Sequence, residues 1–129
     1  MITGRLAAAS ADAPFSDGVT VEGRLAFLAG QGPILNGAIT GGSIGEQTRV
    51  TLQNVAGVLA RLGADASAVV SCTCYLADLA DLDAFNAAYL KFFGEHRPAR
   101  TTVQAHLIGG IGVEITAVVA LPPATEACR

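Results

Sequence analysis

The stretch Val113-Glu114-Ile115-Thr116-Ala117-Val118-Val119-Ala120-Leu121 constrains the fold of this chain more than any other. Its β-branched residues favour a strand, and it is apolar at nearly every position, the pattern of a strand buried on both sides. A sheet built around such a strand needs cover on each face.

Two helices are available to supply it. Ser43 followed by Glu46 has capping-box spacing, and Thr48, Leu52, Val55, Leu59 and Leu62 then recur on one helical face until Gly63. Asp81 is placed to cap a second helix, with Leu82, Phe85, Tyr89 and Phe92 along one side and Gly94 as its stop. Residues 19–22 and 25–31, separated by Gly23-Arg24, have the form of a hairpin, and residues 32–42 have the Gly, Pro, Asn and Thr content of a loop. Residues 69–76 alternate as a strand does, and residues 101–107 and 112–121 complete the order β-β-α-β-α-β-β before Pro122-Pro123. The expected fold class is α+β, a mixed sheet with two helices packed on one face. No segment remains for the other face, so a further copy of the chain is the expected cover, and a homo-oligomer follows.

Composition limits the function classes. With 129 residues, 51% of them hydrophobic and 15% charged, residues 1–129 are read as one domain, and a disordered tail protein is excluded. No apolar run reaches the roughly 18 residues of a membrane span. The formal net charge is −3 and the eight basic residues are scattered, so no stripe offers phosphate contacts and no nucleic-acid partner is expected. Residues 1–10 lack the pattern of a secretory signal. Cys72, Cys74 and Cys128 are an odd number in a chain large enough for its own core, which disfavours a disulfide framework and points to a reducing, cytoplasmic setting.

Few residues offer chemistry by spacing alone. Cys72 and Cys74 point to one face of their strand, but His96 and His106 lie elsewhere without ligand spacing, so the thiols read as core fillers and no metal is expected. His106 shares the parity of Gln104 and Thr102, which allows a general base but fits a surface or seam histidine as well. Glu114 stands inside an otherwise apolar strand, where an unpaired carboxylate is costly, so a function or a buried partner is expected for it. Arg100 reads either as a surface ion pair or as an anion clamp.

The stretch Arg97-Pro98-Ala99-Arg100-Thr101-Thr102-Val103-Gln104 adds more. Taken with Ala29-Gly30-Gln31, Glu46-Gln47-Thr48, Asn54, Phe85-Asn86, Tyr89, Phe92-Phe93 and Val113-Glu114-Ile115, it resembles the Rid family of imine/enamine deaminases, also called YjgF-like or L-PSP endoribonuclease. The resemblance runs from about Pro14 to Ala120. It implies a chorismate-mutase-like fold, a homotrimer with clefts between subunits, and no cofactor. It further implies that Arg100 binds a substrate carboxylate, that Glu114 orients or activates water, that Gly30 lends backbone contacts, and that Asn86 lies near the cleft.

Three departures accompany it: Phe15 in Ala13-Pro14-Phe15-Ser16 replaces a tyrosine, Thr102 stands where many deaminases carry Cys, and the segment after Arg100 is one residue short. Phe15 and Thr102 are therefore read as substrate-binding positions of altered specificity, with Phe15 favouring imines that carry apolar side chains.

The chemistry is coherent. A guanidinium holds a carboxylate by two parallel charge-assisted bonds, and a nearby carboxylate can assist water onto an iminium carbon. The resulting expectation is release of ammonia and a 2-keto acid from a small carboxylate-bearing enamine or imine, with Arg100 and Glu114 catalytic. Two alternatives stand beside it: a non-catalytic trimer that binds a small carboxylate metabolite, and a ribonuclease. If residues 108–111 made a tight hairpin, Arg100 and Glu114 would lie roughly 16 Å apart. Either their strands are not hairpin partners or the two groups meet across subunits, and the seam is the favoured expectation.

Overall fold

The computed structural model describes residues 1–124, so Cys128 lies outside the described residues. Eight strands and two helices follow in chain order: β1 Ile2–Ala7, β2 Ser16–Val21, β3 Arg24–Phe27, β4 Ile34–Leu35, β5 Ala38–Ile39, α1 Ile44–Arg61, β6 Val69–Leu76, α2 Leu82–Phe93, β7 Ala99–Gln104 and β8 Val113–Leu121. Six strands form one mixed sheet in the order β1-β2-β7-β6-β8-β3. β7 runs parallel to both β2 and β6, the β1–β2, β6–β8 and β8–β3 pairs are antiparallel, and both helices pack on one face. The α+β class, the mixed sheet and the one-sided helix layer are as the sequence leads one to expect.

Each helix is built as its residues dictate. The Ser43 side chain accepts from the Glu46 N–H at 3.2 Å, and Thr48, Leu52, Val55 and Leu59 are buried against the sheet. Leu62 has reached the C-cap and is exposed, and Gly63 follows at φ 71°, where a side chain would be strained. In α2 the buried stripe is Phe85, Tyr89 and Phe93, with ring centroids 5.6 and 4.7 Å apart, while Phe92 meets Phe93 edge-on from the margin. Asp81 makes no side-chain cap; Asp78 instead accepts from the Ala80 N–H at 2.9 Å in the short 3-10 turn before the helix.

The expected hairpin at residues 19–31 does not form. β2 pairs with β1 and touches β7 through the single pair Ser16–Ala99, whereas β3 joins β8 at the opposite edge. Only Glu22 and Gly23 separate the two strands, too short a link to cross four strand spacings of about 4.8 Å on a flat sheet. The sheet therefore curls, bringing the Met1 amino group to the Glu22 carbonyl oxygen and within 3.5 Å of that of Leu121. The connection is short because the sheet nearly closes.

Two smaller differences have local causes. Residues 32–42 are not only loop: β4 and β5 flank Asn36-Gly37 at φ 52° and 79°, the tight turn that Asn-Gly favours. β7 ends at Gln104, whose Oε1 accepts from the Leu79 N–H, so His106 lies beyond the strand rather than on its parity.

Candidate active site

The ladder registers decide where each candidate residue faces. In β6, Cys72, Cys74 and Leu76 are buried under the helices, opposite Ala117, Ile115 and Val113 of β8 and opposite Arg100, Thr102 and Gln104 of β7. Arg100 and Thr102 thus belong to the helix-covered face. Glu114 pairs with Tyr75 on the other parity and points to the uncovered face. Counted through the ladders, the two residues lie two strands and three positions apart, about 14 Å, on opposite sides of the sheet. β7 and β8 are not hairpin partners, because β6 runs between them.

Around Arg100 the structure gathers polar groups in a buried place. Its guanidinium carbon sits 4.8 Å from the Tyr89 ring centroid and 5.4 Å from that of Phe85, so two rings of α2 hold the cation by its face. Four buried atoms here have no hydrogen-bond partner: Arg100 Nη1, Thr102 Oγ1, Asn86 Oδ1 and Tyr89 Oη. Such orphans are costly in a core, and all four belong to β7 and α2, the two elements that meet where Arg100 lies on Tyr89 and Phe85. Burial pushes the Cys72 thiol up to about 11, against the opposing pull of the Tyr89 hydroxyl and Arg100, and it raises Cys74 and Tyr89 as well. These groups stay protonated and neutral, leaving the guanidinium as the charge of the site.

Phe15 lies beside the start of β7. Ser16 donates its N–H to the Pro98 carbonyl at 3.0 Å and its Oγ to that of Arg97 at 2.6 Å, and Phe15 lines a cleft of about 330 Å³ with Ser71, Thr73, Ala99, Arg100 and Thr101, most of them on the strand parity opposite to the Arg100 side chain. Arg97, three residues before Arg100, is structural: its Nη1 donates to the carbonyls of Ala11 and Ala13, which fastens the loop leading to Phe15. Since β2 leaves β7 after Ala99, the strand edge from Arg100 onward has no neighbour in the sheet.

A second group surrounds Glu114. A Cβ on Gly30 would fall 2.4 Å from Glu114 Oε2, so only glycine lets the carboxylate lie against this backbone. Between the pairs Phe27–Val118 and Gln31–Ile115 the β3 side has one residue more than β8. This bulge leaves the Gly30 N–H without a backbone partner among the described residues. The surrounding loops are tied down by α1: Asn54 Nδ2 donates to the carbonyls of Gly32 and Ile34, and the Gly112 N–H donates to Gln47 Oε1. Glu114 lines a cleft of about 290 Å³ with Tyr75, His106 and Thr116.

One copy therefore seats Arg100 on Phe85 and Tyr89 of α2, the helix that also carries Asn86, sets Thr102 on the same face of β7 as Arg100 and Phe15 beside the start of that strand, brings Gly30 to Glu114, and leaves Arg100 and Glu114 apart. Sequence reasoning missed Tyr89 and Phe85 as the seat of the guanidinium, because an aromatic stripe on a helix reads as core. Cys72 and Cys74 share a face as expected, and among the described residues no three His, Cys, Asp or Glu side chains gather as a metal site. No helix among them is long and apolar enough to cross a membrane.

Comparison with known proteins bears directly on these groups, since the model of one family, endoribonuclease L-PSP, matches residues 5–121, which contain them all. The chain belongs to the endoribonuclease L-PSP family. Within this YjgF/Rid group it is 41% identical over 93 residues to a RutC family protein of Pyrococcus abyssi, covering 70% of this chain and 72% of that one. It is 39% identical over 101 residues to a Lactococcus lactis protein named "Putative regulator AldR", covering 74% and 80%. The Rid family protein YyfB of Yersinia pestis superimposes with a TM-score of 0.75 at 32% identity, over 84% of this chain and 87% of that one. YyfB thus shares the fold, and the L-PSP relatives carry names that point to different roles.

Proposed function

We propose that this member of the family hydrolyses a small enamine or imine bearing a carboxylate, a 2-imino acid giving a 2-keto acid and ammonia, in clefts between the subunits of a cytoplasmic homotrimer and without a cofactor. The observation that carries the reading is the Arg100 guanidinium seated on Tyr89 and Phe85 with buried polar atoms awaiting a partner. A carboxylate fits a fixed cation of this kind. Asn86, Thr102 and the wall of Phe15 then orient the remainder of the substrate. Glu114, with the Gly30 N–H beside it, positions water against the imine carbon. The open strand edge beside Arg100 and the exposed Phe27 on the other face supply surfaces on which a second copy can bring Glu114 to Arg100.

The test is keto-acid release from imines generated in place by an amino-acid oxidase, with RNA cleavage followed in parallel. Keto-acid release accelerated by the protein, with RNA intact, is the expected outcome. Binding of a small carboxylate without turnover would leave a non-catalytic trimer, RNA cleavage alone would return the ribonuclease, and light scattering that showed a monomer at micromolar concentration would remove the shared cleft.

A further inference from the structure

The cleft at Glu114 holds a second titratable group that the reading above does not use. Its lining is Tyr75, Ala105, His106, Leu107, Ile108, Glu114 and Thr116, so Glu114 comes from β8, Tyr75 from β6, and His106 from the segment just beyond β7. The Ala105 N–H donates to the Leu76 carbonyl at 3.0 Å, which fixes the backbone immediately before His106. No hydrogen bond or ion pair among the described residues uses the imidazole. An unengaged, exposed histidine that lines one cleft with an unpaired carboxylate supplies the two groups a proton transfer needs.

We infer that His106 is the group that hands a proton to the departing amine while Glu114 takes one from water, an inference that rests on the deaminase reading. The steps balance. The water oxygen bonds to the iminium carbon as the C=N pair moves to nitrogen, and Glu114 takes the water proton, which gives a neutral carbinolamine. Imidazolium His106 protonates the amine, and the C–N bond breaks with its pair leaving on ammonia. Neutral His106 recovers the hydroxyl proton as the keto group forms. The proton on Glu114 passes to ammonia, so iminium and water become keto acid and ammonium with both residues restored.

The test compares His106→Gln with wild type and with His96→Gln, an exposed histidine outside the cleft. Loss of about 100-fold in kcat with KM within a few fold is expected for His106→Gln. Added imidazole should restore part of that rate, and the profile of rate against pH should differ in shape from wild type; Tyr75 and Glu114, the other titratable groups of the cleft, are left unsubstituted. His96→Gln should match wild type. If His106→Gln keeps wild-type kcat while the wild type turns over imines, the proton donor is refuted and the deaminase reading stands. A wild type without turnover on any imine refutes both, because no amine then departs.

Discussion

The two faces of the sheet come from the same strands and have opposite fates. Toward the helices, Val113, Ile115, Ala117, Val119 and Leu121 of β8 are all buried, and the chain closes this face by itself. On the other face Glu114, Thr116 and Val118 are half-buried, Phe27 beside Val118 is 76% exposed, and the described chain provides no layer. The closed face holds Arg100, a cation in a site otherwise apolar or neutral; the open face holds Glu114. What the contrast teaches is that one copy seats the Arg100 cation on its own aromatic rings and leaves the Glu114 carboxylate facing outward.

The sharpest way to break this comparison is to charge each face in turn. Ile115→Asp should prevent folding, because an unpaired carboxylate under the helices costs more than about 4 kcal/mol. Phe27→Asp should retain a native circular dichroism spectrum and reduce the oligomer mass by light scattering. Equal damage from both would show that the faces do not differ as described.

The next effect is catalytic. Arg100→Lys and Glu114→Gln should each lower kcat/KM by about 100-fold, roughly 2.7 kcal/mol, with the fold intact. Co-assembled from equal amounts of the two variants, the mixed oligomers should regain activity at about a quarter of their sites by random assortment if, as proposed, Arg100 of one copy works with Glu114 of another. No recovery would place both groups in one chain.

A smaller effect tests the closed face through its protons. The Cys72 thiol is raised from its ordinary 9.0 to about 11 by burial, and Cys74 and Tyr89 are raised too. Above pH 9 the unfolded chain releases protons that the folded chain retains, so this stabilisation is complete below pH 9 and is lost as pH rises toward 11. The slope should be about 1.4 kcal/mol per pH unit for Cys72 alone, and Cys72→Ser should reduce it in urea titrations between pH 8 and 10.5.

The mildest change is at Phe15. Phe15→Tyr restores a hydroxyl worth on the order of 0.5 to 1.5 kcal/mol to a polar substrate tail. Turnover of leucine- or phenylalanine-derived imines should stay within a few fold, and small or polar imines should improve. A wild type that already prefers polar imines, unchanged by Phe15→Tyr, would make Phe15 only a rim residue.

Local chemistry was readable where short-range rules apply. The Ser43 cap, the α1 stripe, the bounds of β6 and the stop at Gly94 all follow from residue types within a few positions of one another. β1 was not, because Ile2-Thr3-Gly4-Arg5-Leu6-Ala7 gains strand character only by pairing with β2. The hairpin expected at residues 19–31 failed for a related reason: nearness in sequence favours pairing, but sheet closure gives each strand a different neighbour.

The sequence by itself determined the residue chemistry of this protein: a guanidinium, a carboxylate, and strands and helices whose periodicity is local. Only the tertiary structure decided on which face each group stands. A strand presents alternate residues to opposite sides, and one position of register exchanges them, so the seat of Arg100 on Tyr89 and the outward course of Glu114 depend on the β6–β7 and β6–β8 ladders. Those registers are set by long-range contacts among β6, β7, β8 and the two helices, which no window of the sequence contains.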